Sequence, residues 1–348
     1  MELIYSTVLP VRFPKTRNFR DTFEEKLRPA DEILISTGYI SEDSLMELKS
    51  VLDFYKKKSQ EKKCDLVIGM HGREGFTRSQ YEAAYSLGGF LRDEKLGEVR
   101  VCTAFKFHGK VYSFLKQDRP FASIIGSSNL SGILGMENQW EADTLLSEAP
   151  MMMDLVGMHK DLVLKATKPL LDLRDIKFVS SANILEGRIG VQQVSTQELE
   201  QVRQSKTNIS FSIPLKAEVK SNLNVYFGKG RESQTGSVRP RAWYEVEIVV
   251  QKSITSQRGY PTGSFAVITD DGWKFRCKIS GQNNKNLRSQ DDLQTLGRWI
   301  KGRMEATGKL KVGDLITIET LESYGADKLL LTATKDPEVW LLDFSSSK

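Results

Sequence analysis

Several function classes need residues this chain has little of. Its 348 residues include three cysteines, Cys64, Cys102 and Cys277, none in a C-x-x-C pair. That excludes a disulfide framework and a cysteine-rich zinc site, and it suits a reducing compartment. Histidine is equally scarce, with His71, His108 and His159 alone. No apolar run approaches the ~18 residues of a membrane span. The opening MELIYSTVLPVRFPK lacks a basic leader joined to an apolar stretch, so a cytoplasmic location is expected. There is no G-x-x-x-x-G-K-[ST] and no internal repeat. The chain therefore has no P-loop of its own and is not a solenoid.

What is present is a mixed soluble composition, 39% hydrophobic and 27% charged, long enough for two domains. The charge is divided unevenly. From residue 201 onward 23 Lys and Arg face 16 Asp and Glu, while residues 1–200 hold 27 against 29. A basic C-terminal part on a near-neutral N-terminal part suggests that the former meets a polyanion.

The first half alternates strand and helix patterns. ELIYSTVL, EILISTGYI, DLVIGMHG, EVRVCTAF, KVYSFL and FASIIGSS read as strands. FRDTFEEKL, EDSLMELKSVLDFYKKK and RSQYEAAYSLGGFL read as helices, the second with Leu45, Leu48, Leu52 and Tyr55 on one face. This alternation predicts an α/β layered domain over residues 1–180. Residues 145–180 read as helical, with the methionine cluster of MMMDLVGMHKDLVLKA taken as core filling. Residues 181–207 are polar and glycine-broken and read as a linker. Beyond 208 come ISFSIPL, AWYEVEIVVQ, SFAVIT, WKFRCKIS, DLITIETLE and KLLLTAT as short strands, with one helix in DLQTLGRWIKGRMEATG. A mainly β C-terminal domain, a small barrel or open barrel, is expected over 208–348.

His159, between a methionine-rich run and Lys160-Asp161, reads as a surface or packing residue; His71 reads as structural, with a loop-end binding role as the alternative. His108 has different company. In KFHGKVYSFL it stands two residues from Lys110, so a strand would point both to one face, with Tyr112 next. Gly126-Ser127-Ser128-Asn129 closes a later strand, and Glu141 lies twelve residues past Asn129. A neutral imidazole can attack phosphorus and split one displacement into two easier ones. Lys110, Ser127 and Asn129 can donate to the nonbridging oxygens, where charge develops. Glu141, or failing it Glu137, can accept the other imidazole N–H. A carboxylate nuclease using a metal finds only Asp175-x-Lys177 and Glu218-x-Lys220, outside strand context.

His108-x-Lys110 followed by Gly126-Ser127-Ser128-Asn129 resembles the HxK…GSxN signature of the phospholipase D superfamily, and Glu141 resembles the acidic residue of its nuclease branch. The aspartate often found five residues after the lysine is Leu115 here. The chain carries one copy of the motif, as neither His71 nor His159 has a lysine two residues on. The resemblance therefore implies a homodimer, in which two copies of His108 share one site as nucleophile and general acid. No metal and no cofactor are implied.

Two C-terminal segments look made for nucleic acid. Residues 216–241 carry Lys220, Lys229, Arg231, Arg239 and Arg241 with Asn222 and Asn224 interleaved, against two acidic residues. Residues 280–290 carry Gln282, Asn283, Asn284, Lys285, Asn286 and Arg288 and no acid. Lysine and arginine serve phosphates and guanine edges, and amides can pair with adenine. The run DGWKFRCKIS…GRWIKGRME…LKVGDLITIE resembles the pseudobarrel DNA-binding domain of plant hormone-response transcription factors. Together the halves resemble the NgoFVII-like restriction endonucleases. That resemblance implies site-specific cleavage of double-stranded DNA through a covalent phosphohistidine. It also implies a companion DNA methyltransferase that protects self-DNA and, in some related systems, a separate ATPase or translocase subunit. The alternatives are a nonspecific or lipid phosphodiesterase of the same superfamily, and a non-enzymatic DNA-binding regulator.

Overall fold

The computed structural model describes residues 1–5, 17–135, 139–232 and 238–346. The chain divides into two compact units, Met1–Ser180 and Ser181–Lys348.

The first unit is built on β1 (Glu2–Tyr5), α1 (Phe19–Leu27), β2 (Glu32–Thr37), α2 (Glu42–Lys57), β3 (Lys63–Ile68), the short α3 (His71–Glu74), α4 (Arg78–Asp93), β4 (Gly97–Cys102), β5 (Val111–Lys116), β6 (Arg119–Gly126), β7 (Ala142–Leu146), α5 (Ala149–Ala166) and β8 (Thr167–Pro169). Its eight strands form one sheet in the order β1-β7-β6-β5-β2-β3-β4-β8. The parallel β2, β3 and β4 are joined through α2 and α4, as parallel neighbours require a crossover. β5, β6, β7 and β1 continue antiparallel. Both crossover helices start on reciprocal caps, Ser41 with Ser44 and Thr77 with Gln80, and α2 has acidic residues in its first turn and lysines in its last.

Strand alternation sorts the two faces of the sheet. Ile35 pairs with Tyr112 and Ile33 with Phe114. On that face the α1 rings Phe19 and Phe23 meet Tyr112 edge-on at 5.0 and 6.2 Å, all fully buried. Leu34 and Ser36 point the other way. There Leu34 and Leu115 pack on Val156 of α5, and the Ser36 hydroxyl is 2.9 Å from Nδ1 of the buried His159.

Two expectations need correction in this unit. Residues 142–146 form a strand, because this segment is sandwiched between β6 and β1; the helix begins only at Ala149 and ends at Ala166. Of the methionines, Met152 is buried, whereas Met151 and Met153 are 42% and 58% exposed, since one side of α5 faces outward. The expected first strand is seen as β1; its residues 6–9 lie outside the described residues.

The second unit comprises β9 (Gln192–Gln193), α6 (Thr196–Gln204), β10 (Lys206–Pro214), β11 (Arg231–Glu232), β12 (Val238–Arg239), β13 (Ile248–Val249), α7 (Lys252–Thr255), β14 (Ser264–Thr269), β15 (Trp273–Ser280), β16 (Asn286–Ser289), α8 (Thr295–Ala306), α9 (Ile318–Tyr324), β17 (Lys328–Thr334) and β18 (Val339–Asp343). A sheet in the order β10-β17-β18-β14-β15-β16-β13 makes a half-barrel, with β9 added to β15 and β11-β12 a separate ribbon. β15 shows the period of two plainly: Trp273, Phe275, Cys277 and Ile279 are buried, while Arg276 and Lys278 are exposed. α8 is the central helix, burying Leu296, Trp299, Ile300 and Met304.

Three readings change here. Of AWYEVEIVVQ, Ile248–Val249 pairs, and the aromatic residues before it dock α8 instead. Glu305 of α8 accepts from Trp243 Nε1 at 3.0 Å and Tyr244 OH at 2.9 Å, and a Cβ on Gly297 would lie 1.8 Å from the Tyr244 carbonyl. DLITIETLE ends in the helix α9, because Thr317 and Thr320 cap each other reciprocally and Gly325, in the left-handed region, stops it. Val339–Asp343, assigned no element from sequence, is a strand parallel to β14.

Candidate active site

The proposed residues converge at one end of the first sheet, beyond the C-terminal end of β2. His108 and Lys110 lie just before β5, in a segment that makes no strand ladder, yet their side chains meet: Lys110 Nζ is 3.0 Å from His108 Nε2 and 2.8 Å from the His108 carbonyl. An ammonium has only protons to offer. Nε2 is therefore the acceptor of that contact from the charged lysine. His108 is exposed while Lys110 is 7% exposed. Burial pulls the lysine below its ordinary pKa, and the charge of Glu141 works in the opposite direction.

Asn129 sits three residues past the end of β6. Its Oδ1 accepts from the Tyr39 amide at 3.0 Å and the Thr37 hydroxyl at 3.4 Å. The Tyr39 N–H can only donate, which fixes the amide with its oxygen inward and its NH2 as the outer end; the Thr37 hydroxyl divides its one proton between Asn129 Oδ1 and the Tyr39 carbonyl at 3.2 Å. Gly38 lies between the two groups: a Cβ there would be 3.0 Å from His108 Cδ2 and 3.6 Å from Asn129 Oδ1. The Tyr39 ring stands edge-on to both His108 and His71, at 5.5 and 5.6 Å, and its hydroxyl donates to Glu74, which also holds Lys106.

Ser127 is exposed; its Oγ accepts from the Ala142 amide at 3.0 Å, while its proton reaches Ala142 O at a loose 3.4 Å. Glu141 is half-buried beside these groups, and no hydrogen bond among the described residues joins it to His108. Its charge bears on Lys110, Tyr112 and Asp143. Glu137 lies outside the described residues. His71 is buried, donates Nδ1–H to Gly75 O at 2.9 Å, and is pushed down in pKa by burial, as a structural histidine would be. His159 is a packing residue. A cavity of about 260 Å³ lined by Glu32, Asp65 and His159 lies at the opposite end of β2 and contains none of the predicted residues. Among the described residues no three His, Cys, Asp or Glu side chains gather to hold a metal ion.

Sequence reasoning missed Asp143, 3% exposed, which accepts from Ser128 N at 3.0 Å and Ser128 Oγ at 2.5 Å. It also missed Tyr112 as the donor to the Ser128 carbonyl at 2.9 Å. The only linear signal for Asp143 is a lone acid in an apolar strand, which needs the strand to be recognised first.

In the second unit the amide-rich tip is on the surface: Gln282, Asn283, Asn284 and Lys285 are exposed, and both asparagines sit in the left-handed region at φ 60° and 54°. Lys220, Lys229, Arg231 and Arg239 are exposed, and Arg288 is half-buried. Asn222 and Asn224 do not face solvent. Asn224 joins Glu218 O, Ile316 O and Ile316 N, and Asn222 Oδ1 takes the Val249 amide. Burial of these amides is how the chain satisfies loop backbone that no strand covers. Arg241 pairs with Glu245 and Glu247, Arg231 with Glu245, and Asn286 with Glu247. The alternation Lys274-x-Arg276-x-Lys278 went unnoticed in the sequence. It places a basic row on one side of β15, with Lys278 directly opposite Arg288 of β16.

Comparison with known proteins gives two family matches. Residues 17–163 match the model described as the NgoFVII restriction endonuclease N-terminal PLD domain, and residues 201–335 match the NgoFVII C-terminal B3-like DNA-binding domain. Solved structures similar to part of the chain include the phospholipase D family member Nuc from Salmonella typhimurium (12% identity, 48% of this chain and 95% of that one, TM-score 0.33). Others are NucT from Helicobacter pylori (13%, 47% and 98%, 0.29) and the phosphatidylserine synthase of Haemophilus influenzae Rd KW20 (12%, 50% and 41%, 0.35). No curated protein sequence matches.

Proposed function

We propose, from the premise that the chain belongs to the NgoFVII restriction endonuclease family, both of whose domains it carries in order, that it is a site-specific endonuclease cutting double-stranded DNA through a covalent phosphohistidine. The observation that carries this reading is the 3.0 Å contact of Lys110 Nζ with His108 Nε2. A phosphate oxygen that takes over the lysine's protons would set its phosphorus beside a nitrogen whose lone pair is already free of a proton.

Nε2 then attacks phosphorus and the P–O bond to the leaving strand breaks. Lys110, the outward NH2 of Asn129 and the loosely held Ser127 proton receive the charge on the nonbridging oxygens. Glu141 supports the cationic site by its charge. The leaving oxygen takes a proton from His108 of the partner subunit, since one chain supplies a single motif. Water, with that second imidazole now as base, breaks the P–N bond and restores the enzyme. A homodimer is thus part of the reading, as are a companion methyltransferase and, for some relatives' architecture, an ATPase subunit. The exposed residues of the 282–285 tip, with Lys220, Lys229, Arg231, Arg239 and Arg288 and the row Lys274, Arg276 and Lys278, would meet the duplex. Asn222, Asn224, Arg241 and Asn286 would have to leave their present partners to do so.

The test is cleavage of a set of plasmids by purified protein in excess EDTA. Discrete fragments that persist in EDTA and disappear with His108→Ala are expected. Cutting that requires a divalent cation, or survives in the variant, overturns the phosphohistidine route. Selective binding without cutting would indicate a missing subunit or a regulator.

A further inference from the structure

We propose that Asp143 is a positioning residue of this site, acting through Ser128 to set the place of Asn129; the inference rests on the proposed phosphodiesterase reading and deepens it. Both oxygens of one buried carboxylate are spent on a single residue: Oδ1 accepts from the Ser128 amide at 3.0 Å and Oδ2 from its hydroxyl at 2.5 Å. A two-point grip fixes rotation as well as position. The third handle of Ser128, its carbonyl, is taken by the hydroxyl of Tyr112 at 2.9 Å, and that ring is fully buried against Phe19 and Phe23. Ser128 is thereby immobilised on three sides, while its two neighbours, Ser127 and Asn129, are the residues that face the phosphate.

A buried carboxylate is an expensive way to hold a turn. Burial and the nearby charge of Glu141 both oppose its ionisation, and the Ser128 donors work against them. Gly126 shows how closely the carboxylate is applied to the chain, since a Cβ there would stand 2.3 Å from Asp143 Oδ1. The side chain of Asn129 is located separately, from β2, by the Tyr39 amide and Thr37 hydroxyl. Asn129 is thus registered twice, its amide group from β2 and its backbone from β7 by way of Asp143. Loss of the second anchor leaves the NH2 free to swing about the first.

The experiment uses the full chain with bis(p-nitrophenyl) phosphate in EDTA, a diester too small to involve DNA reading. Asp143→Leu, Asp143→Asn and Ser128→Ala are each made in the wild type and in Asn129→Ala. In the wild type, Asp143→Leu is expected to lower kcat roughly 10- to 100-fold with KM changed less than about threefold, as sub-ångström misplacement does. Ser128→Ala falls between, and Asp143→Asn, which can still accept the amide and donate to the hydroxyl, regains most of the loss. In the Asn129→Ala background all three cost less than about threefold. Equal losses in both backgrounds overturn the proposal. If Asp143→Leu does not fold, Ser128→Ala and Asp143→Asn carry the same cycle. If the unaltered chain leaves the diester intact, the phosphodiesterase reading fails by itself. The anchoring is then decided by the Asn129 side-chain amide resonance, identified by its absence in Asn129→Ala. It should shift in Ser128→Ala, and an unmoved resonance overturns the proposal.

Discussion

Lys110 does two things with one ammonium. It contacts Nε2 of the proposed nucleophile and, on the proposed reading, also donates to a phosphate oxygen, so that substrate arrival and release of Nε2 would be one exchange of hydrogen bonds. That exchange depends on distances held within tenths of an ångström, and Gly38 is where this tolerance is most directly tested. A methyl group there would press on His108 at 3.0 Å from Cδ2 and 3.3 Å from Cα, so the imidazole must give way. Gly38→Ala is expected to lower the single-turnover rate roughly tenfold while leaving the DNA dissociation constant unchanged, as a gel shift beside a quench-flow measurement would show. An unchanged rate would mean that His108 is not held against the β2 turn. His108, Lys110, Ser127 and Asn129 stand out in the sequence because their chemistry is uncommon in combination, and folding brings them to one end of the first sheet. Asp143, Tyr39 and Tyr112 do not stand out, because a lone aspartate or tyrosine acquires its role only from the neighbour that folding brings to it.

Helix α5 ties the stability of the first unit to pH. Its His159 is buried with Nδ1 on Ser36, and burial, helped by the charge of Lys160, pushes its pKa down to about 4 from an ordinary 6.5. A lowered histidine means that the unfolded chain binds the proton first. The contribution is complete above pH 6.5 and is lost as pH falls toward 4, amounting to about 3 kcal/mol if the shift is taken whole. Denaturant midpoints across pH 4–7 should fall steeply for the unaltered protein and less steeply for His159→Gln; parallel curves would remove His159 as the cause. The elements around it were legible wherever one signal dominated. α1 and β14 are the segments FRDTFEEKL and SFAVIT to the residue, and α2 starts at its cap. Misreadings came where composition and partner disagreed. The β-branched ITIET run is a helix start because Thr317 and Thr320 cap each other, and Trp243-Tyr244 serve α8 rather than a strand.

At the scale of the molecule, the uneven charge seen in the sequence has a local form. Lys278 and Arg288 face each other across β15 and β16, with Arg276 two residues along. Like charges directly opposite are destabilising in a bare sheet, and a polyanion relieves them. Arg276→Ala and Lys278→Ala should each weaken binding to all duplexes alike and reduce the slope of log K against log salt by about one. Slopes that do not change would move the duplex elsewhere on the unit.

The burial of two of the three histidines makes the chain self-counting toward an acylating reagent. His71 and His159 are 5% and 3% exposed, and His108 alone is open to solvent. Diethyl pyrocarbonate, which modifies neutral imidazoles, should therefore consume one equivalent per folded chain in its fast phase. Because each site of the proposed homodimer uses two copies of His108, residual cleavage activity should fall as the square of the unmodified fraction, reaching zero at one equivalent per chain, and hydroxylamine should return it. An inhibitor that fills the proposed phosphate site should slow that fast phase.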